Sequence, residues 1–290
     1  MKEPDFAGFD LSSARVAVWG LGLMGGSLAM ALNGKCAELV GIDKDPAVIA
    51  LAVDRGVVQT ATTDPRSGLD GADLIILAMP VCTILDVMAD IPKLCKTPAV
   101  IIDLGSTKSE IMRAMAKLPE RFAAVGGHPM CGKEKSTLEN ADANLFQGAA
   151  FGLVSLDRTP VAARQIAENL VAVLGAHPVW VDAEDHDRWV ASTSHVPFLM
   201  ASALAGCTPQ EAAPLVSPGF RGAARLAKTD PGMMMDILAT NTENVRHALA
   251  QFRAVLDRYD DLMEQEQYTE LAGLFTIAAD NLQALERKQS

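Results

Sequence analysis

No stretch of the 290 residues is rich in basic side chains. Lys and Arg number 25 against 36 Asp and Glu, a formal charge of −11. Such a surface repels phosphate backbones and anionic lipid, which speaks against a nucleic-acid or membrane-surface role. Long apolar runs are missing too: Ala72–Cys82 and Val196–Cys207 fall short of the roughly 18–20 residues a bilayer span needs. The acidic N-terminus, Met1–Asp10, lacks the apolar core of a signal peptide. Cysteine is scarce: Cys36, Cys82, Cys95, Cys131 and Cys207 form an odd set without a CxxC pair, mostly inside apolar runs. That excludes a disulfide scaffold or zinc site and fits the reduced thiols of a cytoplasmic protein. There is no HExxH or HxxxH metal pattern, no GxSxG elbow and no internal repeat. What remains is 49% hydrophobic and 21% charged, an ordinary globular composition whose length suggests two domains.

Up to residue 182 short β-branched runs alternate with helical patterns. Strands are expected at Arg15–Trp19, Glu38–Ile42, Leu74–Met79, Ala99–Leu104, Phe122–Val125 and Phe151–Ser155. Several are apolar throughout, as when helices cover both faces of a parallel sheet. Helices are expected at Met24–Asn33, Pro46–Arg55, Val81–Asp90 and Lys108–Lys117, with Asp45 and Pro46 a good helix start. This alternation implies a doubly wound α/β sheet. After Val179–Asp182 strand-like runs disappear and the rest reads as helices. In Asn244–Glu264, Val245, Leu249, Phe252, Leu256, Tyr259 and Met263 form one apolar stripe, suited to a core helix or a subunit interface. The division falls between a 1–182 domain and a helical 183–290 domain.

Gly20-Leu21-Gly22-Leu23-Met24-Gly25 is a GxGxxG segment directly after a strand and at the opening of a helix, the context that makes it a dinucleotide signal. Gly20 permits the turn, Gly22 removes a side chain where a pyrophosphate approaches, and Gly25 lets helix and strand pack closely. The helix N-terminus offers unpaired N–H groups to phosphate. Asp43 ends the next strand at the offset of a ribose-binding carboxylate, which favours NAD over NADP, with Lys44 beside it leaving NADP possible. Leu23, Met24 and Pro80 join Gly20, Gly22, Gly25 and Asp43 as cofactor-binding positions.

Two further segments leave strand ends, where open sheets bind ligands: Asp103-Leu104-Gly105-Ser106-Thr107-Lys108 and Gly126-Gly127-His128-Pro129-Met130-Cys131-Gly132. His128, expected on a rigid Gly/Pro loop, suits a general base that takes a hydroxyl proton while hydride leaves the same carbon. Ser106 can orient that hydroxyl. Lys108 is as well explained by capping of the following helix. His186 and His195 are nine residues apart, about 900° along a helix, so they are expected on opposite faces. His177 and His247 read as solvated. Arg221 and Arg225, four apart, would share a helical face able to grip an anionic substrate.

The succession GLGLMGGS, DLGSTK, GGHPMCGKEKS, HDRWVASTSHVP and GFRGAARLAKTDP resembles the prephenate/arogenate dehydrogenase family over nearly the whole chain. The resemblance implies a Rossmann-type domain binding NAD(P), followed by an all-α substrate and dimerisation domain similar to the C-terminal domain of 6-phosphogluconate dehydrogenases. It implies a homodimer that oxidises the ring C4 hydroxyl of prephenate or arogenate with loss of carbon dioxide, in tyrosine biosynthesis. By the same resemblance His128 is the base, Ser106 orients the hydroxyl and the nicotinamide, and Arg225 holds a substrate carboxylate. His195 is the histidine of the SH-x-P segment. Lys133, Phe198 and Met234 stand where many members carry Thr, His and Trp. These positions bear on the substrate side chain, so prephenate and arogenate both stay open, Lys133 adding a cation that suits prephenate. No chorismate mutase or regulatory segment is expected. The alternatives are a β-hydroxyacid dehydrogenase of the 3-hydroxyisobutyrate type, whose Gly-x-x-x-Asn-x-x-Lys segment is missing after Asp182, and a non-catalytic NAD-sensing protein.

Overall fold

The computed structural model describes residues 6, 8–133 and 135–287. Residues 1–5 and 7 of the acidic N-terminus, Glu134 within GGHPMCGKEKS, and 288–290 lie outside the described residues. The chain packs as two compact units, Met1–Thr242 and Glu243–Ser290.

The larger unit is built on one sheet of β1 (Arg15–Trp19), β2 (Glu38–Ile42), β3 (Thr60–Thr62), β4 (Leu74–Leu77), β5 (Ala99–Asp103), β6 (Phe122–Pro129), β7 (Ala150–Ser155) and β8 (His177–Trp180). Their spatial order is 3-2-1-4-5-6-7-8. The first six are parallel, and β7 joins β6 antiparallel with β8 parallel to β7. Alternation along β1 shows why both faces are apolar. Val16 and Val18 enter one core with Leu28, Leu32 and Leu170, whereas Ala17 and Trp19 enter the other with Ile84, Ile91 and Ile111. Helices α1 (Leu23–Leu32), α2 (Pro46–Asp54), α3 (Pro65–Leu69), α4 (Val81–Met88), α5 (Ile91–Leu94), α6 (Ser109–Met115) and α7 (Val161–Val173) cover these faces. The strand order reverses between β1 and β4, which puts a ligand crevice beyond their carboxyl ends.

β3 and β8 are not among the expected strands, and β6 is longer than expected. β3, three residues long and partly exposed, has too little apolar sequence to be seen. β6 runs on from Val125 to Pro129, so His128 belongs to a strand and not to a loop. Antiparallel pairing with β7 carries β6 past the end of its parallel partner, His128 facing Gly152 in register. The glycines that read as loop residues are there for close approach: a Cβ on Gly127 would sit 2.4 Å from the Asp103 carbonyl oxygen.

Beyond the sheet, α8 (Ala183–Val190), a π turn (Ala191–His195) and α9 (Val196–Cys207) form one continuous helix. At 25 residues it is long and apolar enough to cross a membrane by length and composition alone, unlike the shorter runs visible in sequence. Its first half is instead built into the larger unit: the Asp187 carboxylate accepts the Lys108 and Ser109 amides (2.7 and 2.8 Å) and so caps α6. Next come α10 (Pro218–Ala223) and α11 (Pro231–Thr240). Asp236 of α11 accepts the Cys82 amide at the start of α4, and Thr240 bonds Thr107 at 2.8 Å. The helices after the sheet are thus latched to its carboxyl edge through the exposed amides of helix N-termini. The smaller unit is formed by α12 (Thr242–Glu264) and α13 (Tyr268–Arg287), joined by a Tyr259–Phe275 ring contact at 5.4 Å and an Arg258–Glu270 ion pair.

Candidate active site

Four segments reach the same sheet edge because β1, β4, β5 and β6 are adjacent and parallel. They carry the Gly20–Gly25 turn, Met79 and Pro80, Ser106, and His128. At the turn Gly20 has φ of +98°, and a Cβ there would meet the Ala78 carbonyl at 2.4 Å. A Cβ on Gly25 would lie 1.9 Å from the Gly20 carbonyl oxygen. Both glycines are therefore fixed by backbone approach, the requirement of a dinucleotide cradle. Asp43 is half-buried, with one oxygen accepting the Leu21 amide at 2.8 Å and the other the Asp45 amide at 3.0 Å. This holds the carboxylate beside the turn with lone pairs to spare for ribose hydroxyls. The Leu23 amide, expected to face phosphate, donates to the Ser136 carbonyl at 2.8 Å. Met24 is half-buried and Pro80 exposed at the start of α4.

The segment that carries Ser106 also holds a buried ion pair. Lys108, for which capping of the next helix is an equal alternative in sequence, makes no side-chain cap bond but is fully buried, pairs with Asp103 and donates to the Gly127 carbonyl at 2.7 Å. Asp103 also accepts the Gly105 and Gly127 amides. Burial raises the Asp103 carboxyl and lowers the Lys108 ammonium, while their mutual attraction opposes both shifts. The pair ties the end of β5 to the β6 backbone at Gly127, the residue before His128.

His128 is buried at the end of β6. Its Nδ1 lies 2.9 Å from Nε2 of His186, and His186 Nδ1 lies 2.8 Å from the Asp187 carboxylate. Burial holds His128 well below its ordinary value, and the charges of His186, Lys108 and His195 push the same way. Its imidazole is therefore neutral at physiological pH. His195 is buried as well. Burial pushes it down to about 4, with Asp187 resisting and His186 adding to the fall. Its Nδ1 faces the Asn241 amide nitrogen at 3.3 Å, and that nitrogen donates to the Asp187 carbonyl at 2.7 Å. His195 Nε2 is buried without a hydrogen-bond partner among the described residues. Such a group costs roughly 1–3 kcal/mol until an acceptor reaches it.

His186 is the residue sequence reasoning missed, and the opposite-faces expectation for His186 and His195 fails for a definite reason. The five residues of the π turn advance by only about 82° each, withdrawing roughly 90° from the straight-helix count. No sequence signal announces such a turn, though the HD pair in HDRWVASTSHVP was in view.

The remaining expectations fare differently. Arg221 and Arg225 do not share a helix: α10 ends at Ala223, and Arg225 opens a 3-10 turn packed on α9. Arg221 donates to the Val216 carbonyl, and Arg225 is exposed without an ion pair among the described residues. Lys133 is exposed and held by Asp142 (3.3 Å) and the Asn140 carbonyl (3.1 Å). Ser106 is half-buried three residues beyond β5.

Residues 28–180 match the family described as prephenate dehydrogenase, nucleotide-binding domain, and residues 182–277 match prephenate dehydrogenase, dimerization domain. The chain is 31% identical to a prephenate dehydrogenase of Bacillus subtilis, over 93% of this chain and 76% of that protein. A crystal structure of prephenate dehydrogenase from A. aeolicus, in complex with hydroxyphenyl propionate and NAD+, superposes with a TM-score of 0.87 at 28% identity, covering 96% of this chain and all of that one. The arogenate dehydrogenase of Synechocystis gives a TM-score of 0.77 at 27% identity, over 90% and 96% of the two chains.

Proposed function

The chain belongs to the prephenate dehydrogenase family, and from that premise we propose that it oxidatively decarboxylates prephenate to 4-hydroxyphenylpyruvate, or arogenate to tyrosine, with NAD. The observation that carries the reading is the buried, neutral imidazole of His128 on the same sheet edge as a glycine turn no side chain could fit. Gly20, Gly22, Gly25 and the Asp43 carboxylate suit a dinucleotide, and the nicotinamide of bound NAD supplies a hydride acceptor. Leu23, Met24 and Pro80 border the same crevice.

Each of the chain's own groups then has one task. His128 takes the proton of the ring hydroxyl, and Ser106 orients that hydroxyl. With Asn241 donating to its Nδ1, His195 carries its proton on Nε2 and offers it to an acceptor on the substrate. Arg225 and Lys133 supply cations for substrate carboxylates, which a chain of net charge −11 must provide locally. Loss of carbon dioxide from the oxidised ring restores aromaticity, so that step asks little of the protein beyond orientation. The 1–182 segment serves the dinucleotide, and the 183–290 segment the substrate and homodimerisation. Free thiols at all five cysteines support a cytoplasmic setting.

The test is NADH formation by the purified protein with prephenate or arogenate, repeated with NADP. Expected is NAD-dependent turnover that His128→Asn lowers by about 10²–10⁴-fold in kcat with little change in substrate KM. Equal kcat in variant and parent removes His128 as the base.

A further inference from the structure

A neutral histidine carries one proton on either of two nitrogens, and only one arrangement leaves a base facing substrate. We propose that His186 and Asp187 are positioning residues that make this choice, locking His128 with its proton on Nδ1 and its lone pair on Nε2. The proposal rests on His128 being the base.

The chain of reasoning starts at Asp187. An ionised carboxylate only accepts, and this one is fixed in orientation by the amides of Lys108 and Ser109, one on each oxygen. Burial works against its charge, but the hydrogen bonds from His186, Ser109 and Lys108 outweigh that and hold the carboxyl below its usual range. His186 Nδ1, 2.8 Å away, must therefore donate. An imidazole that donates from Nδ1 and accepts at Nε2 turns its Nε2 lone pair toward His128 Nδ1, 2.9 Å away, and this is the arrangement proposed for His186. One hydrogen has to lie between those nitrogens, and it belongs to His128. Its Nε2 is left bare.

The same dipeptide acts in the opposite sense on the second imidazole. The Asp187 carbonyl accepts from the Asn241 amide, whose nitrogen also faces His195 Nδ1, so His195 bears its proton on Nε2. One peptide unit thus sets one histidine as acceptor and the other as donor. Asp103 and Lys108, the other charged groups beside His128, are committed to each other and to the β5 and β6 backbone. His186 and Asp187 touch no reacting atom; they act through His128 and His195.

Two variants separate tautomer control from packing. His186→Gln places a carbonyl oxygen near the lost Nε2 and keeps an acceptor for His128, whereas His186→Leu fills similar space without one. Expected is about a 100-fold lower kcat for His186→Leu, with substrate KM within about threefold, and recovery to within about tenfold of the parent for His186→Gln. Equal kcat in the two variants, or a loss confined to KM, overturns the proposal. Nitrogen-15 spectra of histidine-labelled parent decide it without any variant: His128 must show a protonated Nδ1 and a bare Nε2 at neutral pH, and the reverse tautomer overturns it. A parent inactive on prephenate and arogenate would overturn the functional reading, which the tautomer measurement does not depend on.

Discussion

His195 shows what burial does to one side chain. Its ordinary value is 6.5 and its folded value about 4, so between those limits the unfolded chain binds the extra proton and the native chain does not. Stability therefore is fully present above about pH 6.5 and falls as pH drops toward 4, by up to ~1.4 kcal/mol per pH unit for this one group. His128, depressed for the same reason, adds a contribution of the same sign. Urea unfolding of parent and His195→Gln across this range should show the variant with the shallower slope. Parallel profiles would mean that His195 is not held neutral by the fold. The thiol of Cys131, three residues from His128, is pushed up to about 11 by burial and so stays protonated and unreactive.

Among the elements, the junction of β5 and β6 depends most on charge. Lys108 and Asp103 bring no exposed surface into play; they fasten two strand ends whose next residues include Ser106 and His128. Replacing one member leaves the other charged and buried, a loss of about 3–5 kcal/mol. Lys108→Met should therefore lower unfolding free energy by that amount in denaturant titrations. Adding Asp103→Asn should recover more than half of it, since no uncompensated charge remains. A double variant as unstable as the single one would show that Lys108 matters for its hydrogen bond to Gly127 and not for its charge. The capping of α6 by Asp187 belongs to the same logic, because a helix start that lacks its own Ser, Thr, Asp or Asn must borrow an acceptor from elsewhere.

At the scale of the whole molecule, the smaller unit leaves much of its apolar surface uncovered. Val245 and Leu262 are buried, yet Leu256 and Met263 of the same stripe are about half exposed, as are Phe275, Leu282 and Leu285 on α13. A stripe of that kind fits the proposed homodimer better than a core helix. Phe275→Asp with Leu282→Asp, seven residues apart on one helical face, should convert a dimer to monomers in sedimentation equilibrium while the larger unit keeps its NAD affinity. A parent that sediments as a monomer would remove the dimer from the reading.

The residues alone determined what depends on local pattern. Continuous apolar runs between helical periods gave the parallel sheet, and GxGxxG between strand and helix gave the dinucleotide turn, because backbone approach there admits only glycine. The segments around Ser106 and His128 were legible because they leave strand ends, where open sheets bind ligands, and His195 only through the family resemblance. Tertiary structure decided what depends on distant partners. His128 lies on a strand because β7 pairs with it from the far side. Lys108 is internal because Asp103 and Gly127 enclose it, and Arg225 leaves its helix because α10 stops short. His186 reaches His128 from a helix 58 residues further along the chain, a π turn brings His195 off the face opposite His186, and Asp187 gives its oxygens to a helix 78 residues away. Hydrogen-bond partners across such separations, and the proton positions they impose, carry no signature in a linear chain.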